Sequence, residues 1–88
     1  SGVKLTFESE SELTKAICDG LAGVLDLREV DENVSFDQYG LDSITGTVLS
    51  GRLERDLKRE VPPRWLIDFP TARKLARQLG AQKRVPVS

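Results

Sequence analysis

The chain has 88 residues, of which 39% are hydrophobic and 31% charged, and its formal net charge is −1. This length and balance are typical of one small globular domain and exclude a disordered chain. No apolar run approaches the roughly 20 residues of a membrane-spanning helix. No signal peptide is recognisable either, so we expect a cytoplasmic protein without membrane contact. Histidine is absent, which removes the usual general base and the commonest metal ligand, so we expect neither a catalytic residue nor a metal site.

The charges are unevenly distributed along the chain. Residues 26–42 contain six acidic residues and one basic residue, whereas residues 59–88 contain seven basic and two acidic residues. The basic residues are spread along a predicted helix and tail without interleaved aromatic residues. They therefore indicate a solvated helix surface, and we expect no nucleic-acid partner.

An N-terminal arm is predicted over residues 1–8, which lack helical periodicity. We interpret Ser1 and Gly2 as the remnant of an expression tag. The first helix is predicted to begin at Ser9 or Ser11, either of which can cap it.

The first helix is predicted from four apolar residues at helical spacing, namely Leu13, Ile17, Leu21 and Val24. The acidic Glu10 and Glu12 lie in its first turn, where they face the positive end of the helix dipole. Cys18 is the single cysteine and cannot form a disulfide within the chain. We interpret it as a small residue at the core or its boundary, with a reactive thiol as the alternative.

A long connection is predicted over residues 26–42. Loops of this length are unusual in a compact domain unless they are held in place or functional. Five apolar residues can hold it across a helical core, namely Val30, Val34, Phe36, Tyr39 and Leu41. Gly40 is predicted to supply a turn before the next helix.

The second helix is predicted from Asp42 or Ser43 to Lys58, with Asp42 as its N-cap. It has two apolar faces. One is the buried stripe of Leu49, Leu53 and Leu57. At about 100° per residue, Ile44 and Val48 point almost opposite to Leu53.

The last part of the chain contains two shorter elements. Pro62 and Pro63 stop regular structure, and a short helix of one or two turns is predicted in "RWLID" before Pro70. Thr71 is predicted to cap a final helix that ends at Gly80. Its apolar face consists of Ala72, Leu75, Ala76 and Leu79. Residues 81–88 are predicted to form a disordered tail. The chain is therefore predicted to be all-α.

Several segments of the chain resemble the acyl carrier proteins, especially the carrier domains of polyketide synthases. The resemblance rests on "YGLDSI" within "VSFDQYGLDSI", and on "GLAGVLDL", "LSGRLERDL" and "VPPRWLIDFPTARKLARQL", which follow in the family's order and spacing. It covers about residues 9–80, the predicted carrier domain. It implies a four-helix bundle of the acyl carrier type, with three main helices, a short third helix and a long first loop. Peptidyl carriers usually have a Gly-Gly-His/Asp-Ser form, so "GLDS" favours an acyl carrier.

The resemblance implies that the chain is not an enzyme but carries 4′-phosphopantetheine on Ser43. Acyl or polyketide intermediates would be held as thioesters on this arm and presented to partner domains. The implied partners are a phosphopantetheinyl transferase, a ketosynthase, an acyltransferase and other synthase domains, and the isolated domain is expected to be monomeric. Asp42 is expected to cap the helix and to contact the transferase.

The resemblance also implies a partner-binding surface, for which the candidates are Leu41, Ile44, Val48, Gly51, Arg55 and Trp65. Many family members have an acidic residue where this chain has Val48, and the second helix is net positive here. Val48 is expected to be exposed, with burial under the loop as the alternative. Trp65 either borders a pocket between the second and third helices or anchors the core.

Two other functions remain open from the sequence. One is a peptidyl carrier domain of a nonribosomal peptide synthetase. The other is a helical adaptor without a prosthetic group, which binds a partner through Ile44 and Val48.

Overall fold

The computed structural model describes residues 9–81 and contains four α-helices. These are α1 (Glu10–Leu25), α2 (Ser43–Leu57), α3 (Trp65–Asp68) and α4 (Ala72–Ala81), with a 3₁₀ turn at Phe36–Tyr39 between α1 and α2. No strand occurs within the described residues, so the predicted all-α fold is confirmed. The predicted arm at 1–8 lies outside the described residues, and so does all but the first residue of the predicted tail at 81–88. That first residue, Ala81, belongs to α4, so the prediction of a disordered tail is wrong at this position. None of the helices between residues 9 and 81 is long and apolar enough to cross a membrane.

Helix α1 begins with a capping box that selects Ser9 over Ser11 as its N-cap. The Ser9 hydroxyl accepts a hydrogen bond from the Glu12 N–H at 3.1 Å, and the Glu12 carboxylate accepts one from the Ser9 N–H at 3.3 Å. These bonds satisfy two of the donors that a helix start leaves unpaired. At the other end, Asp26 has a left-handed conformation with φ of 59° and closes the helix.

The core lies where α1 packs against both α2 and α4. Its fully buried members include Leu13, Ile17, Leu21, Leu49, Leu53, Val61, Leu75 and Leu79. Gly20 lets α2 approach α1, because a Cβ there would be only 3.2 Å from the side chains of Leu49 and Leu53. Leu57 was predicted to belong to the buried stripe of the second helix but is only half-buried against the core, as is Leu25, which continues the apolar spacing of α1. Each is the last residue of its helix.

The long connection is held to the helices by specific contacts. Phe36 is buried, and its N–H donates to the Pro70 carbonyl at 2.7 Å. Arg73 pairs with Glu32 at 2.8 Å, and Tyr39 accepts from the Asp31 N–H at 2.7 Å. The connection therefore has a defined path. Of the five apolar residues predicted to hold it, Phe36 is buried and Val30, Tyr39 and Leu41 pack against the core, whereas Val34 does not.

Of the two glycines predicted to interrupt helical structure, one does so and the other does not. Gly40 has φ of 98° and supplies the predicted turn before α2. Gly80 was predicted to end the last helix, but it lies inside α4, which continues to Ala81. A Cβ at Gly80 would lie 4.0 Å from the Leu13 side chain, so this turn of α4 runs close to α1. The predicted Thr71 cap is present, since its hydroxyl accepts from the Lys74 N–H at 3.1 Å.

Candidate functional site

The site is built around the start of α2, which Asp42 caps. Its carboxylate accepts hydrogen bonds from both the N–H and the hydroxyl of Thr45, each at 2.8 Å. The Thr45 hydroxyl oxygen in turn accepts from the Asp42 N–H at 2.9 Å. This reciprocal arrangement confirms the predicted capping role of Asp42 and fixes the direction in which α2 leaves the loop.

The same hydrogen bonds act on the ionisation of Asp42. The Thr45 N–H, followed by the Thr45 hydroxyl, stabilises the charged form and lowers the pKa of Asp42 below its usual range. A carboxyl whose folded pKa is depressed adds stability above its unfolded pKa. That contribution is lost as the pH falls through the folded pKa.

We therefore expect the stability advantage of wild type over Asp42→Asn to shrink as the pH is lowered below the usual aspartate range. Asparagine is also a good N-cap, so this substitution removes the charge and keeps the cap. Thermal unfolding of both proteins over a pH series measures the difference. A difference that does not change with pH would contradict the charged cap.

Ser43 is the first residue of α2 and is exposed. Within the described residues its hydroxyl makes no hydrogen bond, and its backbone carbonyl accepts from the Thr47 hydroxyl at 2.9 Å. A hydroxyl at this position lies beside the unpaired N–H groups at the start of the helix, which suit a phosphate attached to it. Ser43 therefore has the accessibility and the setting that a phosphodiester attachment needs.

A cavity of about 710 Å³ opens beside Ser43, between α2, α3 and the 3₁₀ turn. Its apolar wall includes Phe36, Leu41, Gly46, Pro63, Leu66, Ile67 and Pro70. Gly46 is buried, and a Cβ there would make only ordinary contacts with Leu66 and Leu41, at 3.8 and 3.9 Å. The cavity has the size and composition of a small-molecule site.

Trp65 does not line this cavity. It is half-buried, and its ring meets Phe69 edge to face, with centroids 6.2 Å apart and an interplanar angle of 89°. Leu66 and Ile67 face the cavity instead, and Ile67 is 78% exposed. The sequence reasoning missed Ile67, although three consecutive apolar residues on a single helical turn cannot all face the core.

The outer face of α2 is exposed as the sequence predicted. Ile44 is 74% and Val48 54% exposed, whereas Leu49 and Leu53 are fully buried. The alternative in which the loop covers Val48 is therefore wrong. Gly51 and Arg55 are also exposed on this face, while Leu41 is half-buried at the cavity.

Cys18 lies half-buried at the edge of the core. Burial, with a smaller contribution from the nearby negative charge of Glu32, raises the pKa of its thiol. The thiolate is the reactive form of cysteine, so this environment disfavours reactivity. The prediction of a boundary residue is the one that the structure supports.

The family model for the phosphopantetheine attachment site matches residues 15–79. The chain belongs to this family of carrier domains. Carrier domains are not catalysts, since they hold a group on which other domains act, and their covalently attached group is 4′-phosphopantetheine. An exposed, unbonded Ser43 beside an apolar cavity fits such a group. Family membership thus favours a carrier over the adaptor without a prosthetic group.

Relatives of this carrier domain occur in two classes of synthase. The nonribosomal peptide synthetase agiA of Aspergillus flavus is 35% identical over 79 residues, which are 90% of this chain and 1% of that protein. Polyketide synthase 37 of Dictyostelium discoideum is 34% identical over 73 residues, which are 81% of this chain and 2% of that protein. The carrier domain thus spans a very small part of these relatives.

Solved carrier proteins have the same fold. A free-standing peptidyl carrier protein from Acinetobacter baumannii superposes with a TM-score of 0.80 at 31% identity, covering 86% of this chain and 98% of that one. The HMG-ACPI domain of the CurA module from Lyngbya majuscula gives 0.77 at 25% identity, covering 83% of this chain and 76% of that one. The predicted carrier fold is confirmed, and both acyl and peptidyl carriers share it.

Proposed function

We propose that Ser43 is the attachment site of the 4′-phosphopantetheine arm and that this carrier domain belongs to a polyketide synthase. The observation that carries the attachment site is the exposed Ser43 hydroxyl at the capped start of α2, beside an apolar cavity. The arm's thiol supplies the chemistry that the chain's own side chains lack. It holds an acyl group as a thioester, and the tether raises the local concentration of that group at each partner domain.

The proposal of a polyketide synthase is supported by the "GLDS" form of the motif and by the relative from Dictyostelium. The second candidate is a peptidyl carrier domain, which the Aspergillus synthetase and the Acinetobacter peptidyl carrier favour. The two differ in the group that is loaded onto the arm and in the domain that loads it. The cytoplasm as the compartment stays a prediction from the sequence.

The loading reaction tests the choice between these classes. The domain is first converted to its arm-bearing form with coenzyme A and a broad-specificity phosphopantetheinyl transferase. It is then offered a malonyl-loading acyltransferase with malonyl-CoA or, separately, a panel of adenylation domains with ATP and amino acids. A malonyl mass gain alone supports the polyketide carrier, and an aminoacyl gain alone supports the peptidyl carrier.

We further propose that Ile44 and Val48 form an exposed apolar strip where partner domains dock. Exposed apolar side chains beside a functional group indicate an interaction surface. One arm must visit several enzymes in turn, so each contact has to be brief and its affinity modest. A strip made of two exposed side chains suits such transient contacts.

Val48→Glu is expected to slow acyl transfer from a cognate partner and to leave stability unchanged within about 0.5 kcal/mol, as for most surface substitutions. Thermal unfolding and acyl-transfer rates measure the two effects. Ser11→Glu is the matched control, because it adds the same charge at an exposed position of α1. An unchanged rate would remove Val48 from the docking strip.

A further inference from the structure

The face of α2 that carries Val48 borders a shallow groove toward α1. Its volume is about 410 Å³, and its walls are formed by Gly23 and Val24 of α1 and by Val48, Gly51, Arg52 and Arg55 of α2. The cavity beside Ser43 shares none of these residues. The groove is therefore a separate feature on another side of α2.

No contact within the described part of the domain explains why position 51 is a glycine. A Cβ at this position would meet no atom within 4 Å, and the residue lies inside α2, where glycine costs about 1 kcal/mol against alanine. Close packing within the domain therefore does not require glycine here. Its absent side chain instead leaves the backbone of α2 open to close approach from outside the domain.

The rim of the groove is positively charged. A Cβ at Gly23 would lie 2.7 Å from the Arg52 guanidinium, so glycine at this position lets Arg52 lie across α1. Arg52 is partly compensated by Asp56, at 3.9 Å. Arg55 has no ion pair or hydrogen bond within the described residues, and no acidic residue lines the groove. The groove therefore presents an uncompensated cation beside the apolar side chains of Val24 and Val48.

We propose that this groove docks an acidic amphipathic segment of a partner protein. A carboxylate of the segment pairs with Arg55, and a short apolar ridge lies between Val24 and Val48 against the open backbone at Gly51. Charge complementarity selects this occupant, because a basic segment would face Arg52 and Arg55 with like charge. The groove proposal rests on the carrier function proposed above. It adds the chemical character of the partner segment that would dock.

The first test uses the arm-bearing, isotopically labelled domain and a synthetic amphipathic helical peptide in which glutamates flank one leucine ridge. A second peptide has lysines in place of the glutamates. We expect chemical-shift changes in the groove with the glutamate peptide, weaker binding as salt rises, and no groove binding with the lysine peptide. Equal binding of both peptides, shifts centred elsewhere, or no binding of the glutamate peptide would overturn the proposal.

Charge reversal at Arg55 is the second test. Arg55→Glu should weaken binding of the glutamate peptide about tenfold, which corresponds to about 1.4 kcal/mol, and Arg55→Lys should retain most of the affinity. Lys74→Glu is the matched control, because it makes the same charge change at an exposed position of α4, which contributes no residue to the groove. An Arg55→Glu variant that binds like Lys74→Glu would overturn the proposal.

Gly51→Ala separates an effect on binding from an effect on folding. We expect thermal stability to rise, because alanine favours the helix and has open space, while peptide affinity falls several-fold. Gly80→Ala is the control, since its Cβ is also accommodated inside a helix and should stabilise without weakening binding. Unchanged affinity in Gly51→Ala would contradict close approach at this point.

Before binding is measured, the intact mass of the wild type and of every variant is determined after the transferase reaction has gone to completion. This mass shows whether each protein carries the arm. A wild type that takes no arm contradicts the carrier function itself. A loaded domain without charge-dependent binding contradicts only the groove. The two failures are therefore distinguishable.

Discussion

Ser43→Ala is expected to abolish attachment of the phosphopantetheine arm and to leave the fold intact. Ser43 is exposed, and its hydroxyl makes no hydrogen bond within the described residues. Alanine is a strong helix former, and Asp42 and Thr45 maintain the cap without Ser43. Stability should therefore stay within about 0.5 kcal/mol of wild type, while the mass gain with coenzyme A and a transferase disappears completely.

The control for this experiment is Ser35→Ala. Ser35 lines the same cavity and caps the 3₁₀ turn without a side-chain hydrogen bond. This variant should gain the full mass of the arm, which peptide mapping should locate on Ser43. A mass gain in Ser43→Ala, or an arm located on another serine, would show that the motif has been misassigned.

Leu53→Ala is expected to destabilise the domain by roughly 2–5 kcal/mol, the range for truncating a buried leucine. Leu53 is fully buried, and its Cδ2 atom lies 3.2 Å from where a Gly20 Cβ would be. It therefore fills the contact between α1 and α2, and glycine offers no side chain to close the cavity left behind. A domain of this size has a narrow stability margin, so a loss of this size can unfold much of the protein.

Urea unfolding with comparison of midpoints and slopes measures this effect. Leu57→Ala is the matched control, because it is the same substitution one turn later on the same helix but at a half-buried position. It should cost clearly less than Leu53→Ala. A loss below about 1 kcal/mol in Leu53→Ala would contradict the assignment of the core stripe.

The helices and the candidate site follow from local rules that act within a few residues of one another. Ser9, Asp42 and Thr71 are small polar residues placed where a helix must begin, and the prolines at 62 and 63 interrupt the chain for local steric reasons. The two apolar faces of α2 follow from helical geometry alone. Successive residues are rotated by about 100° around the helix axis, so the apolar residues of this helix cannot all point inward. Ser43 at the start of α2, Ile44 and Val48 on its exposed face, and the family resemblance were therefore accessible from the sequence.

How deeply each apolar side chain is buried depends on which helix or loop packs against it. Only the tertiary structure decides this. Leu25 and Leu57 continue apolar stripes but are the last residues of their helices and are only partly buried against the core. In α3, Leu66 is buried while Ile67 is exposed and Trp65 pairs with Phe69. A single helical turn has too little periodicity to distinguish its faces. Gly80 lies inside α4 rather than at its end.

The groove beside Arg55 shows most clearly what the sequence determined and what only the tertiary structure decided. From the sequence, the family resemblance implied that Val48, Gly51 and Arg55 belong to one partner-binding surface. It did not indicate that Gly23 and Val24, more than twenty residues earlier, form the opposite wall. It did not indicate either that glycine at position 23 makes room for Arg52. Local periodicity determines which side chains share a face of a helix, whereas the packing of α1 against α2 determines what that face adjoins.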